Sequence, residues 1–63
     1  MSQDEVLRAL RGLPGSTAAE IAARIGLHEN SARRALSRLY SARAVRREGG
    51  RGKAPYRYWE APQ

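Results

Sequence analysis

The chain has 63 residues, no cysteine and a formal charge of +6 at pH 7. That length supports one domain over residues 1–63, with a core near the lower limit for independent stability, and the missing thiols exclude a disulfide staple and a thiolate zinc site. No apolar run approaches the roughly 18–20 residues of a membrane span, and Met1-Ser2-Gln3-Asp4-Glu5 is acidic where a signal or transit peptide is basic, so a cytoplasmic or nucleoid location in a microbial cell is expected.

Ser2 and Glu5 stand at the spacing of a capping box, in which a hydroxyl and a carboxylate satisfy the first free N–H groups of a helix. A first helix is expected from about Gln3 to Arg11, with Val6, Leu7 and Leu10 on its buried side and Gly12 as its stop. Leu13-Pro14-Gly15-Ser16 reads as a loop, because proline and glycine both interrupt a helix, and Leu13 is expected to fold back onto the core. Thr17 and Glu20 make a second capping-box pair, with Ser16 as an alternative cap, and open a helix from about Ala18 to Ile25. Gly26 stands where the chain must turn sharply, and a left-handed backbone is cheap only for glycine. Leu27 plugs the gap that follows. His28 occupies the N-cap of a third helix, about Glu29 to Ser41, with Asn30 competing for the cap.

From Val45 the helical period gives way to alternation. Val45-Arg46-Arg47-Glu48 and Tyr56-Arg57-Tyr58-Trp59-Glu60 read as two strands. Gly49-Gly50-Arg51-Gly52-Lys53-Ala54-Pro55 between them is too long for a two-residue turn and reads as a mobile hairpin loop. Tyr56 and Tyr58 share one strand face, expected to close over helices 1 and 3 with Tyr58 inward and Tyr56 partly so, while Arg57 and Trp59 share the other. The expected interior is Leu7, Leu10, Ile21, Ile25, Leu27, Leu36, Leu39 and Val45.

The charge is one-sided. Residues 1–28 carry three arginines against three acids, whereas residues 29–63 carry eight arginines and Lys53 against three acids. A surface kept basic for solubility has no reason to be so uneven; a phosphate-facing one does. Arginine is also the better fork for phosphates and guanine edges.

Two apolar stripes, Ile21, Ala22 and Ile25 and then Ala32, Ala35, Leu36 and Leu39, flank a short turn holding Gly26. This is the helix-turn-helix arrangement, in which the first helix braces a second that enters a DNA major groove. Residues in the first two turns of such a helix reach base edges and later ones reach the backbone. Asn30, Ser31 and Arg34 are therefore assigned to base contact, and Arg33 and Arg38 to phosphate. Arg51 and Lys53, on flexible glycines, suit a minor groove or the phosphates beside it. Taken singly, these residues also read as a solvated helix face and a disordered loop. Tyr40 and Trp59 stay open between structural, subunit-interface and DNA-facing roles.

No catalytic constellation is expected. The single histidine is a helix cap with no carboxylate placed to orient it, so no serine or threonine has a base. One histidine builds no metal site, and no glycine-rich phosphate cradle precedes a lysine and a serine or threonine, so neither metal nor cofactor is expected.

TAAEIAARIGLHENSARRALSRL followed by VRREGGRGKAPYRYW resembles the winged helix-turn-helix domains of bacterial transcription regulators, over about residues 3–61. The resemblance implies three helices with a short strand before the second, then a strand, a wing and a strand, with helix 3 in the major groove and the wing on the neighbouring backbone. It also implies that Ser16 and Thr17, at the short strand and the start of helix 2, hold a phosphate. Arg43 departs from the pattern, since these domains commonly have glycine between helix 3 and the strand after it. A narrower resemblance is to winged domains that bind left-handed Z-form nucleic acid, through Pro55 and Trp59 in the hairpin. Their helix 3 carries an asparagine and a tyrosine four residues apart, where this chain has Arg33 and Ser37, so that pair is missing.

The expectation is a mainly α chain with a small β-wing, three helices plus a two- or three-stranded antiparallel hairpin. It is expected to bind double-stranded B-form DNA in a sequence-specific way as a small transcriptional repressor or regulator. A homodimer or a cooperative row on DNA is expected, with no membrane partner and no small-molecule effector. The alternative is a protein-interaction scaffold in a larger complex, which would need an apolar outer patch that this chain does not show.

Overall fold

A computed structural model describes residues 2–62, apart from the side chain of Ser2, so the cap expected of Ser2 lies outside the described residues. Helix α1 spans Ser2–Gly12, strand β1 Ser16–Thr17, helix α2 Ala18–Ile25, helix α3 Glu29–Ser41, strand β2 Val45–Gly49 and strand β3 Tyr56–Glu60. The strands form one antiparallel sheet in the order β1-β3-β2. Three helices and a three-stranded wing sheet are thus the architecture that the sequence implied.

Local chemistry sets most of the boundaries. The Thr17 N–H donates to Glu20 Oε1 at 2.8 Å, and the Glu20 N–H donates to Thr17 Oγ1 at 3.2 Å, which closes the capping box of α2. Thr17 is the cap, and the Ser16 hydroxyl instead donates to the Leu13 carbonyl at 2.6 Å. Gly26 takes the left-handed backbone, φ 70°, and ends α2. His28 caps α3, its Nδ1 accepting from the Asn30 N–H at 3.4 Å. Gly12 closes α1, one residue beyond the expected Arg11, but not through a left-handed cap. It is the last residue of α1 with no positive φ, and the Leu13 N–H still bonds the carbonyls of Ala9 and Leu10. Pro14, which brings no N–H, breaks the pattern.

Val6, Leu10, Ile21 and Leu36 are fully buried, joined by Ala18, Ala22, Ala32, Ala35, Leu39, Val45 and Tyr58. Alanines on the facing sides of α2 and α3 let the two helices of the turn approach closely. Leu7, Ile25 and Leu27, expected inside, are half-buried and pack on the rim of this core. On α1 the centre of the stripe is the pair Val6 and Leu10, one turn apart, which leaves Leu7 at its flank. Tyr58 is inward as expected, but Tyr56 is 37% exposed and lies over the wing instead of the core.

The sheet is tied to the helices at several points. The Gly15 N–H donates to the Tyr58 carbonyl at 2.8 Å, continuing the β1–β3 ladder. Arg11 Nε meets Glu60 Oε2 at 2.7 Å, joining α1 to β3. Trp59, half-buried, lies against Gly15 on the outer side of the sheet, which gives it a structural place.

Helix α3 ends in a Schellman motif: the Ala44 N–H bonds the Leu39 carbonyl at 2.8 Å and the Arg43 N–H the Tyr40 carbonyl at 3.0 Å. Arg43 supplies the left-handed residue, φ 62°, at a position that suits glycine. Arg43→Gly is expected to raise stability by about 1 kcal/mol, the usual left-handed penalty for a residue with a Cβ. Urea denaturation of the two proteins checks this, and an unchanged or lower midpoint counts against strain at Arg43.

Candidate nucleic-acid interface

Successive residues of an α-helix turn by roughly 100°, so Ala32, Ala35, Leu36 and Leu39 make one buried stripe on α3. Asn30, Arg34, Ser37 and Ser41 fall on the opposite, exposed stripe. Arg33, beside Glu29, turns from that stripe toward the wing, while Ser31 and Arg38 turn toward the other flank. The base-contact candidates Asn30 and Arg34 thus lie on the part of the helix farthest from the core, with Ser31 at its edge.

A groove opens between α3 and the wing. Thr17, Glu29, Arg33, Ser37, Arg47 and Lys53 supply its polar lining, and Pro55, Tyr56 and Tyr58 much of its apolar wall. Among the expected site residues, the fold therefore brings Thr17, Arg33 and Lys53 together here. Asn30, Ser31, Arg34 and Arg38 lie outside the groove on the outer faces of α3, and Arg51 stands exposed on the wing. Ser16 and Thr17, expected at a phosphate, are buried, and both hydroxyls have internal partners. Their place is to build the corner that carries α2.

The carboxylates decide which cations remain available. Glu29 Oε2 pairs with Arg33 Nη2 at 2.7 Å across one helical turn. Arg57 donates to the Gly15 carbonyl at 2.9 Å and stands 3.9 Å from Glu20. By contrast, the side chains of Arg34, Arg38, Arg51 and Lys53 have no ion-pair or hydrogen-bond partner among the described residues. Exposed pairs such as Arg33–Glu29 contribute little to stability. Their effect is on charge: Arg33 is compensated, and Arg34 and Arg38 are not.

The wing loop carries a local turn of its own. The Ala54 N–H donates to the Arg51 carbonyl at 3.0 Å, closing a tight turn with Gly52 at φ 59°. At its root, Arg47 lies between two aromatic rings, its guanidinium carbon 3.8 Å from the Tyr40 centroid and 4.3 Å from that of Tyr56. Neither Arg47 nor this use of Tyr40 and Tyr56 follows from helical or strand period. The register supplies a signal that points to it: Arg47 pairs with Tyr58, which makes Tyr56 its diagonal neighbour on the same face.

The model of the IclR helix-turn-helix domain matches residues 5–49 of this chain, more than half of it. The chain belongs to the IclR helix-turn-helix domain family. The match to the IclR-type domain takes in all of α2, α3 and β2 and stops before the wing tip and β3. Those later elements are matched in solved structures. A MarR-family transcription regulator superposes with a TM-score of 0.87 at 25% identity, covering 98% of this chain and 42% of that one. The transcriptional regulator SlyA gives 0.76 at 23%, covering 95% of this chain and 42% of that one, a likeness of fold alone. The IclR-type chain thus spans less than half the length of either regulator. The Zα domain of PKZ from Carassius auratus, in complex with Z-DNA, gives 0.79 at 25%, covering 94% of this chain and 90% of that one. No curated protein matches the chain in sequence. No helix among the described residues is long and apolar enough to cross a membrane.

Proposed function

We propose that this IclR-type domain reads double-stranded B-form DNA in a sequence-specific way, as the DNA-binding unit of a repressor or related regulator. The observation that carries the reading is the outer face of α3, where Asn30 and Arg34 stand opposite the core and Arg34 and Arg38 have no acidic partner among the described residues. Arg34 supplies a fork for guanine O6 and N7, and Asn30 and Ser31 supply shorter donors and acceptors beside it. Arg38 and Arg33 flank the helix toward the two phosphate walls of a major groove, and Arg51 and Lys53 extend the contact along the backbone. A single domain of this size covers one half-site, so two copies, or a cooperative row, are proposed on two related half-sites. The placement is the nucleoid of a bacterial cell, with no catalytic step.

A second reading has one observation in its favour: the likeness to a Zα domain held in complex with Z-DNA. Against it, Arg33 and Ser37 occupy the places of the asparagine and tyrosine that such domains carry, and Arg33 is paired to Glu29. One experiment separates the two readings. Duplexes are selected from a random B-form library by the protein, and the recovered site is compared with a CG repeat held in the Z form, at several salt concentrations. The expected outcome is one enriched sequence with two related halves, bound more tightly than the Z-form repeat, with affinity falling steeply as salt rises. Recovery of no common sequence with preference for the Z-form duplex overturns the proposal. Binding to neither leaves the scaffold reading in its place.

A further inference from the structure

We infer that Arg47 is a positioning residue: held between Tyr40 of α3 and Tyr56 of β3, it fixes where the wing stands relative to α3 and is not a phosphate ligand. The geometry is independent of what the protein binds, whereas its consequence for binding rests on the DNA-reading proposal above.

Arg47 belongs to β2, so the stack joins a helix and both strands of the hairpin through one side chain. The row does not end at Tyr56. The rings of Tyr56 and Tyr58 are 6.2 Å apart and tilted by 57°, and Tyr58 is buried in the core. Tyr40, Arg47, Tyr56 and Tyr58 therefore run without a break from the outside of α3 to the interior. Tyr56 also carries the first residue of the wing loop. Gly50 lies against its ring so closely that a Cβ there would stand 2.5 Å from ring atoms, and its φ of 77° favours glycine.

Beyond Gly50 the loop holds itself only by the turn from Arg51 to Ala54, and the β2–β3 ladder stops at Gly49 and Tyr56. What sets Arg51 and Lys53 relative to Arg34 is thus the Gly50 contact, the Tyr56 ring and the guanidinium that joins this ring to α3. Arginine suits the place because its planar, delocalised cation stacks on aromatic faces on both sides. Lysine has the charge but no plane. That difference separates a positioning residue from a phosphate ligand, for which charge is the main requirement.

The test has two arms. In the free protein, the Gly50 amide resonance is expected to be displaced by the Tyr56 ring and so to report the row directly. Arg47→Lys, Arg47→Gln and Tyr40→Leu are each expected to move it toward an ordinary glycine position, while Tyr40→Phe, which keeps the ring, leaves it in place. Methyl resonances of Leu10, Ile21 and Leu36 should not change, since no core residue is touched. In the second arm, affinity for the selected duplex should fall in both Arg47→Lys and Arg47→Gln, by up to about five- to thirtyfold where both cation–π contacts are lost. Combining Tyr40→Leu with Arg47→Lys should add little to either alone, because both break the same row.

An unmoved Gly50 resonance in Arg47→Gln and Tyr40→Leu overturns the positioning role. So does wild-type affinity in Arg47→Lys with a loss confined to Arg47→Gln, which is the behaviour of a phosphate contact. If no duplex binds at all, the DNA-reading proposal fails while the Gly50 arm still decides the role of Arg47.

Discussion

Leu36→Ala is expected to destabilise the fold by about 2–5 kcal/mol, the cost of removing a fully buried leucine and leaving a cavity. For a domain of this length, whose total stability lies toward the low end of the usual range, that is enough to leave much of the chain unfolded. Leu36 is the residue to choose because α3 packs against both α1 and α2, so one truncation loosens α3 against both of its helical neighbours. Leu7→Ala is the control. Leu7 is half-buried at the rim, where solvent and neighbouring side chains refill the space, and its loss should cost less than half as much. Urea denaturation followed by far-ultraviolet circular dichroism measures both. Equal losses in the two variants would mean that α1 presents Leu7, and not Val6 and Leu10, to the core.

The contrast between Leu7 and Val6 also marks how far the sequence reaches. Where a boundary is set by neighbours in the chain, it was legible. Thr17 and Glu20 are three residues apart, His28 and Asn30 two, and the left-handed turn needs only Gly26. The outer stripe of α3 was legible for the same reason, since period alone places Asn30 and Arg34 opposite Ala32, Ala35 and Leu36. At Gly12 the place of the stop was legible to within a residue but not its means, since no left-handed backbone turns there and Pro14 two residues later removes the next N–H. Tyr56 misled because alternation gives its face but not its depth. The bare Gly50 backbone draws the ring outward over the wing, and a contact between a ring and a glycine leaves no trace in hydropathy. Arg47 was passed over as one more basic residue, because its partners stand seven residues before it and nine after it. Ser16 and Thr17 show the reverse: their types suit a phosphate, but burial has committed both hydroxyls to the corner before α2.

The uneven supply of acidic partners bears on which arginine reads bases. Arg34 is the cation that stands on the outermost stripe of α3, is exposed, and meets no carboxylate among the described residues. A bidentate contact from it to guanine is worth roughly 1–3 kcal/mol of discrimination. Arg34→Ala should therefore lower affinity for the selected duplex by about tenfold or more while changing binding to random DNA much less. Arg51 and Lys53 stand exposed on the glycine-rich tip of the wing, and their proposed reach is to the DNA backbone. Arg51→Ala and Lys53→Ala should weaken selected and random duplexes by similar factors, and each should reduce the slope of log affinity against log salt by about 0.9. None of the three side chains is in the core, so circular dichroism should show all three variants folded. The comparison has three separable outcomes. A ratio of selected to random binding that survives Arg34→Ala but collapses in Arg51→Ala inverts the roles and makes the wing the reader. Unchanged binding in all three removes DNA from this face altogether, and the basic surface then has to be explained by an acidic protein partner. The expected split, with discrimination lost at Arg34 and salt dependence lost at Arg51 and Lys53, is the pattern in which a rigid helix reads bases and a loop on a fixed root holds the backbone.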